Sequence, residues 1–222
     1  MKKYSTVFFD LDGTLIDSGE GVTNSVAYAL EKFGIYTENR TMLISYIGPP
    51  LLYSFQKYDH LDEESALKAI EYYREYYAEK GIYEYEVYEE MEGILNTLKQ
   101  EGYALVLATS KPEKFAKIIL EHAGLSKYFD YIAGASMDEK TRITKDQVIE
   151  YALKAMKIED PSEVVMVGDR HHDIEGARKF GMDCIGVLYG YGSNLEMHHF
   201  KPKYIAKTPA QIVTILQEAQ KN

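Results

Sequence analysis

The rhythm of apolar and polar positions changes twice along the chain. A short continuous apolar run, Val7-Phe8-Phe9, reads as a strand buried on both faces and stops at Asp10-Leu11-Asp12-Gly13-Thr14. From Asp17 the spacing becomes helical: Val22, Val26, Leu30 and Phe33 form one stripe, Asp17 or Ser18 stands where a cap is needed, and Gly34 closes it. A second helical stretch over 38–47 stops at Gly48-Pro49-Pro50, because proline cannot continue a helix. Residues 51–58 read as a further helix. A longer one runs from the cap Asp62 to Lys80, with Leu67, Ile70, Tyr73 and Tyr77 on one face and Gly81 past its end. The tyrosines of this region, Tyr72, Tyr73, Tyr76 and Tyr77, suit half-buried helix positions, where the ring is covered and the hydroxyl stays wet.

From Met91 onward helix-like and strand-like segments alternate. Helices are expected over 91–100, 113–123, 145–156 and 174–180, and strands over 103–108, 131–134, 164–167 and 184–187, before a glycine-containing loop and a terminal helix from Pro209. Such alternation builds a parallel sheet flanked by helices. The expected fold class is therefore α/β, a Rossmann-like parallel sheet core made by 1–16 and 84–222. A small all-helical domain, 17–83, is inserted after the first strand.

Composition narrows the function. At 222 residues there is room for one large domain or a domain with an insertion, at roughly 150 residues per domain. With 45% hydrophobic and 27% charged residues the composition is that of a soluble globular protein. A formal net charge of −10 argues against a nucleic acid partner and requires that an anionic substrate be attracted locally, by a metal or a few placed cations. The single cysteine, Cys184, sits in an apolar run, cannot form an intrachain disulfide, and reads as a core thiol in a reducing compartment. Met1-Lys2-Lys3 resembles the start of a signal peptide, but Asp10 and Asp12 interrupt the apolar segment too early, and no run approaches a membrane span. A cytoplasmic protein with no membrane partner is expected.

Candidate chemistry lies where the strands end, the position at which open parallel sheets bind ligands. Asp10 and Asp12 are one residue apart, on one face if the strand continues, and repel each other unless a cation or a proton-transfer task uses them. Asp12-Gly13 between apolar runs is equally a hairpin-turn signal, whereas a calcium loop fits poorly because the glycine follows the acids too soon. The second strand, ending at Ala108, leads to Thr109-Ser110, where hydroxyls and the N–H groups of a starting helix offer an anion site or simply a helix cap. Thr144-Lys145-Asp146-Gln147 reads as a capping box with Lys145 at the first helical position, where a cation opposes the helix dipole by about 0.3–1 kcal/mol unless an anion shares the place. An exposed surface lysine is the plainer reading. Gly168-Asp169-Arg170-His171-His172-Asp173 puts one acid at a strand tip and a second within a helical turn of it, an oxygen set that suits Mg²⁺. His171 and His172, adjacent on a helix, cannot both face one metal and read as solvated or as groups supporting the ligands.

Taken together and in order, these residues resemble the haloacid dehalogenase-like hydrolases. Asp10-Leu11-Asp12-Gly13-Thr14 is similar to that family's first motif, Thr109-Ser110 to its second, Lys145 to its third, and Gly168 to Asp173 to its fourth. The insert resembles the family's small C1-type cap. Within the family the likeness is greatest to the phosphoglycolate phosphatase branch and to its 5′-nucleotidase-like members. The resemblance implies a Mg²⁺-dependent phosphatase acting on a small phosphorylated metabolite through an aspartyl-phosphate. It implies Asp10 as nucleophile and Asp12 as general acid and base. It further implies Asp10, Asp12 (through its backbone carbonyl), Asp169 and Asp173 around the metal, and Thr109, Ser110 and Lys145 on the phosphate. Gly48, Pro49 and Pro50 would form a substrate-specificity loop. Dehalogenases of the family lack an aspartate at the position of Asp12. A 5′-nucleotidase, a phosphosugar mutase, a phosphoacceptor domain and a non-catalytic phosphate-binding protein remain as alternatives, in a monomer or homodimer.

Overall fold

The structure is a computed structural model that describes residues 3–221; Met1 and Lys2, weighed above as part of a leader, lie outside them. The chain forms two compact units, 1–16 with 87–222 and 17–86. The first opens with β1 (Thr6–Phe9) and leaves through β2 (Ile16–Asp17). The insert consists of α1 (Gly19–Glu31), a 3₁₀ turn over Arg40–Tyr46, α2 (Leu51–Tyr58), α3 (Glu63–Glu79) and a 3₁₀ turn over Gly81–Tyr83, and returns through β3 (Glu86–Val87). There follow α4 (Met91–Gln100), β4 (Ala104–Pro112), α5 (Glu113–His122), β5 (Tyr131–Ala135), α6 (Lys145–Ala155), β6 (Val164–Gly168) and α7 (His171–Lys179). The chain ends with β7 (Asp183–Val187), α8 (Asn194–Phe200), β8 (Tyr204–Ala206) and α9 (Ala210–Ala219).

Six strands form one parallel sheet in the order β5-β4-β1-β6-β7-β8. This is the Rossmann-like α/β architecture that the alternation predicts. Helices cover the sheet, so its strands are apolar on both faces: Val7, Phe8 and Phe9 of β1 and Val164 to Val167 of β6 have no exposed surface. One side of the core joins Phe8, Val106 and Met166 to Val148, Ile149 and Ala152 of α6 and Ile174 and Ala177 of α7. Cys184 lies in the same cluster, as a core thiol should. No helix of the described residues is long and apolar enough to cross a membrane.

Strand order reverses at β1, which lies between β4 on one side and β6 on the other. Connections depart in opposite directions from that point, and a crevice opens beyond the carboxyl ends of the strands. Phe9 is level with Leu107 of β4 and Val167 of β6, so Asp10 leaves the sheet between the ends of its neighbours. β1 therefore has parallel partners, and the hairpin reading of Asp12-Gly13 gives way to a tight loop in which the Gly13 N–H donates to Ile16 O at 2.8 Å.

Several elements differ from expectation, each for a local reason. β4 continues past Ala108 to Pro112, with an irregular register between Thr109 and Pro112. α5 consequently starts after Pro112 with no side-chain cap, and neither Thr109 nor Ser110 caps it. α7 starts at His171, three residues before its apolar stripe, because its first turn is polar. α8 and β8 replace the expected loop; a short helix carrying two histidines and a three-residue edge strand present little periodicity.

In the insert, Asn39 caps the 3₁₀ turn and Asp62 caps α3 by accepting the Ser65 N–H at 2.8 Å. The buried face of α3 is Ala66, Ala69, Ile70, Tyr73 and Tyr77, whereas Leu67 is 40% exposed. The true stripe begins at Ala66, whose single methyl gave it little weight in the pattern. Tyr73 and Tyr77 are fully covered and stacked with centroids 5.3 Å apart, beyond the half-burial expected of them. Glu84 ties the insert together, accepting from Asn24 Nδ2 at 3.1 Å and from the Tyr76 hydroxyl at 2.9 Å.

This arrangement separates two substitutions in urea unfolding. Ile70→Ala removes buried methylenes and should cost about 2–5 kcal/mol, whereas Leu67→Ala should stay within about 0.5 kcal/mol of wild type. Equal losses would contradict the helix orientation.

Candidate active site

Four of the candidate side chains converge where β1, β6, α6 and α7 meet. Asp10, Asp169 and Asp173 each place a carboxylate oxygen within 4.8 Å of the other two. All three are buried, Asp169 and Asp173 completely. Lys145, also buried, puts Nζ 2.7 Å from Asp10 Oδ1 and 2.8 Å from Asp173 Oδ1 and donates to Ala108 O at 2.9 Å. The capping box of Thr144 and Gln147 starts α6 as expected, but Lys145 is not a surface lysine. The acids it meets settle the helix-dipole conflict. Gly176 of α7 leaves the room its chain needs, since a Cβ there would stand 3.0 Å from Lys145 Cγ.

The site's backbone is built for close approach. Gly13 adopts φ +78°, and a Cβ on it would fall 2.3 Å from Asp169 Oδ2. A Cβ on Gly192 would fall 1.7 Å from Asp169 O. The loop Gly190-Tyr191-Gly192 thus wraps Asp169, and the Tyr191 N–H donates to Asp169 Oδ2 at 2.7 Å. In the sequence this loop reads only as a glycine-containing connector. Its two glycines around an aromatic residue, directly after a strand end, were the available signal. Asp173 accepts the Arg170 N–H at 3.1 Å across the first turn of α7.

Charge is unbalanced here. Burial, then Asp173 and Asp10, hold the Asp169 carboxyl well above the ordinary carboxylate range. Burial also raises Asp173, with Lys145 opposing and Asp10 adding to it. Burial alone would lower Lys145, but Asp10 and Asp173 outweigh it and hold the ammonium above its usual value. Asp169 Oδ1 is buried without a hydrogen-bond partner. An orphaned, desolvated oxygen beside two more carboxylates fits a divalent cation with hard oxygen ligands.

The other candidates are placed as follows. Asp12 lies just beyond the cluster, its Oδ1 3.1 Å from Lys111 Nζ, a buried lysine that the sequence reading did not single out. Thr109 is buried where the register of β4 becomes irregular and its Oγ1 accepts the Lys111 N–H at 3.2 Å, while Ser110 is half-buried. Gly48, Pro49 and Pro50 belong to the insert, where they separate the 3₁₀ turn from α2 and Pro50 precedes the first turn of that helix. Against the expectation that they cannot face one site, His171 and His172 come together: their rings are 3.8 Å apart, and a nitrogen of each lies within 4.8 Å of a Glu175 oxygen. Glu196 of α8 fixes this turn, accepting from both the His171 N–H and the Arg170 Nε.

A family model described as haloacid dehalogenase-like hydrolase matches residues 7–187. The chain belongs to that family. It is 37% identical to a 5′-nucleotidase of Pseudomonas aeruginosa over 97% of this chain and 96% of that one. Among solved structures, one described as a predicted phosphatase from Clostridium acetobutylicum superposes with a TM-score of 0.93 at 46% identity, covering 97% of this chain and 99% of the other. Another, described as a predicted phosphoglycolate phosphatase from Haemophilus somnus, gives 0.83 at 26% identity over 97% and 99%.

A carboxylate whose folded pKa is raised binds more protons in the folded state, so stability falls with rising pH above the unfolded value of about 4 and up to the folded one. Metal-free wild-type protein should therefore lose thermal stability as pH rises from about 4 through the value of about 6 to which Asp173 is raised, and Asp169→Asn should flatten that slope and raise Tm on its alkaline side. An unchanged slope in the variant would contradict the charge imbalance.

Proposed function

We propose that the protein is a Mg²⁺-dependent phosphomonoesterase that hydrolyses a small phosphorylated metabolite through an aspartyl-phosphate on Asp10. The observation that carries the reading is the cluster of Asp10, Asp169 and Asp173 with one ammonium, Lys145, and an unpartnered Asp169 oxygen. Asp10, Asp169 and the backbone carbonyl of Asp12, with Asp173 in support, would hold Mg²⁺. Bound there, the ion supplies positive charge that lets two anions, carboxylate and phosphate, approach each other.

The chain's own groups do the rest. An Asp10 carboxylate oxygen attacks phosphorus while the ester P–O bond breaks, and Asp12 gives its proton to the departing oxygen. Water then attacks the phosphorus of the acyl phosphate, its proton returns to Asp12, and the Asp10–phosphorus bond breaks to release phosphate. Lys145 and the Thr109 and Ser110 hydroxyls hold the equatorial oxygens as charge spreads over them. Substrate choice is assigned to the insert, with the turn at Gly48, Pro49 and Pro50 meeting the part of the substrate beyond its phosphate. The family likeness supports that role.

Phosphoglycolate-like esters are the first substrate class. The full-length relative named 5′-nucleotidase supports nucleoside monophosphates as the second. A cytoplasmic monomer or homodimer, with no membrane or nucleic acid polymer as partner, completes the reading.

In a panel of phosphoglycolate, nucleoside monophosphates, sugar phosphates and pyrophosphate, phosphate release should require Mg²⁺ and vanish with chelator. Asp10→Asn should remove it entirely, and Asp12→Asn should cost about 10²–10⁴ in rate. Activity persisting in Asp10→Asn would remove the nucleophile from the scheme, and conversion of a sugar phosphate to its isomer without net release would turn the reading to the mutase.

A further inference from the structure

Lys111 is the buried cation that this scheme leaves without a task. It is 9% exposed, and lysine is almost never so covered unless paired. The extension of β4 past Ala108 explains how it gets there. Had the chain turned into α5 at Thr109, position 111 would belong to a helix start. Instead the irregular register between Thr109 and Pro112 keeps residues 109 and 111 on the strand and re-aims the side chain, as bulges at sheet rims do. The Thr109 Oγ1 then accepts the Lys111 N–H at 3.2 Å and fixes the backbone. Nζ arrives 3.1 Å from Asp12 Oδ1, with the two side chains only 6% and 12% exposed.

Asp12 needs such an anchor. It sits beyond the end of β1 in a loop, whereas Asp10 directly follows the strand, donates its N–H to Val167 O at 2.9 Å and pairs with Lys145. A general acid must stand within hydrogen-bond reach of the oxygen it protonates, and a misplacement of about 1 Å costs about 10² in rate. We propose that Lys111 is a positioning residue: its ammonium, carried on the bulged end of β4, holds the Asp12 carboxylate in the orientation from which it protonates the leaving-group oxygen. The proposal rests on the phosphatase reading and goes beyond it by assigning a role to a residue outside the four motifs.

The consequence is a dependence on the leaving group. Alkyl phosphates lose a basic alkoxide and need the acid, whereas p-nitrophenyl phosphate loses a stable phenolate and scarcely does. Because kcat/KM reports only the steps up to departure of the leaving group, it isolates this half of the reaction. Lys111→Met should lower kcat/KM for alkyl phosphates about 10²-fold and for p-nitrophenyl phosphate less than about tenfold. Lys111→Arg, which keeps the cation, should recover most of the alkyl activity, and competitive inhibition by inorganic phosphate should be unchanged in both. Equal losses on both ester classes, or weakened phosphate inhibition, would make Lys111 a phosphate ligand or a structural residue and overturn the proposal. Should Lys111→Met not fold, the same comparison on Lys111→Gln and Lys111→Arg decides it. A wild-type protein inactive on every ester would instead remove the phosphatase reading itself, so the two failures are separate.

Discussion

Three carboxylates buried around one lysine are the constraint on which the rest of the structure depends. Each acid loses hydration, each repels the others, and Lys145 can satisfy Asp10 and Asp173 but leaves an Asp169 oxygen without a partner. A protein pays for such a cluster only where the stored electrostatic demand is used. A divalent cation and the phosphoryl group it attracts would meet that demand, so the repulsion among the acids and their affinity for a cation have a single origin.

The sheet makes the cluster possible by supplying fixed points. β1 lies at the reversal of strand order, so Asp10 emerges between the ends of β4 and β6, and Asp169 and Thr109 follow from those neighbours. Hydrophobic burial holds these strands rigidly, which keeps the acids together against their repulsion. The loop after β7 adds the last element, because only residues without a side chain let the backbone close around Asp169. The same extension of β4 that carries Thr109 also delivers Lys111 to Asp12, so one local irregularity serves two functional side chains.

Much of this was legible in the sequence. Continuous apolar runs identify β1, β4, β6 and β7, and the acids and hydroxyls where β1, β4 and β6 end are recognisable because each is unusual next to a buried strand. What escaped was whatever gives no periodic signal. The bulged end of β4 was read as a helix start because Pro112-Glu113 suits one. Leu67 was placed in the core of the insert because a leucine outweighs the neighbouring Ala66 in any hydrophobic count. Lys145 could be read as a surface residue, since burial of a lysine depends on carboxylates 135 and 28 positions away. That His171 and His172 each bring a ring nitrogen near Glu175 depends on side-chain rotamers, which leave no signal in the sequence.

The most direct test is crystallographic, using crystals soaked in Mn²⁺, whose anomalous scattering locates it, together with trifluoroberyllate, which mimics a phosphoryl group on a carboxylate. The account predicts one ion bound by Asp10 and Asp169, and the fluoroberyllate bonded to Asp10 within reach of Lys145 and Thr109. An ion held elsewhere, or an anion seated away from Asp10, would contradict it.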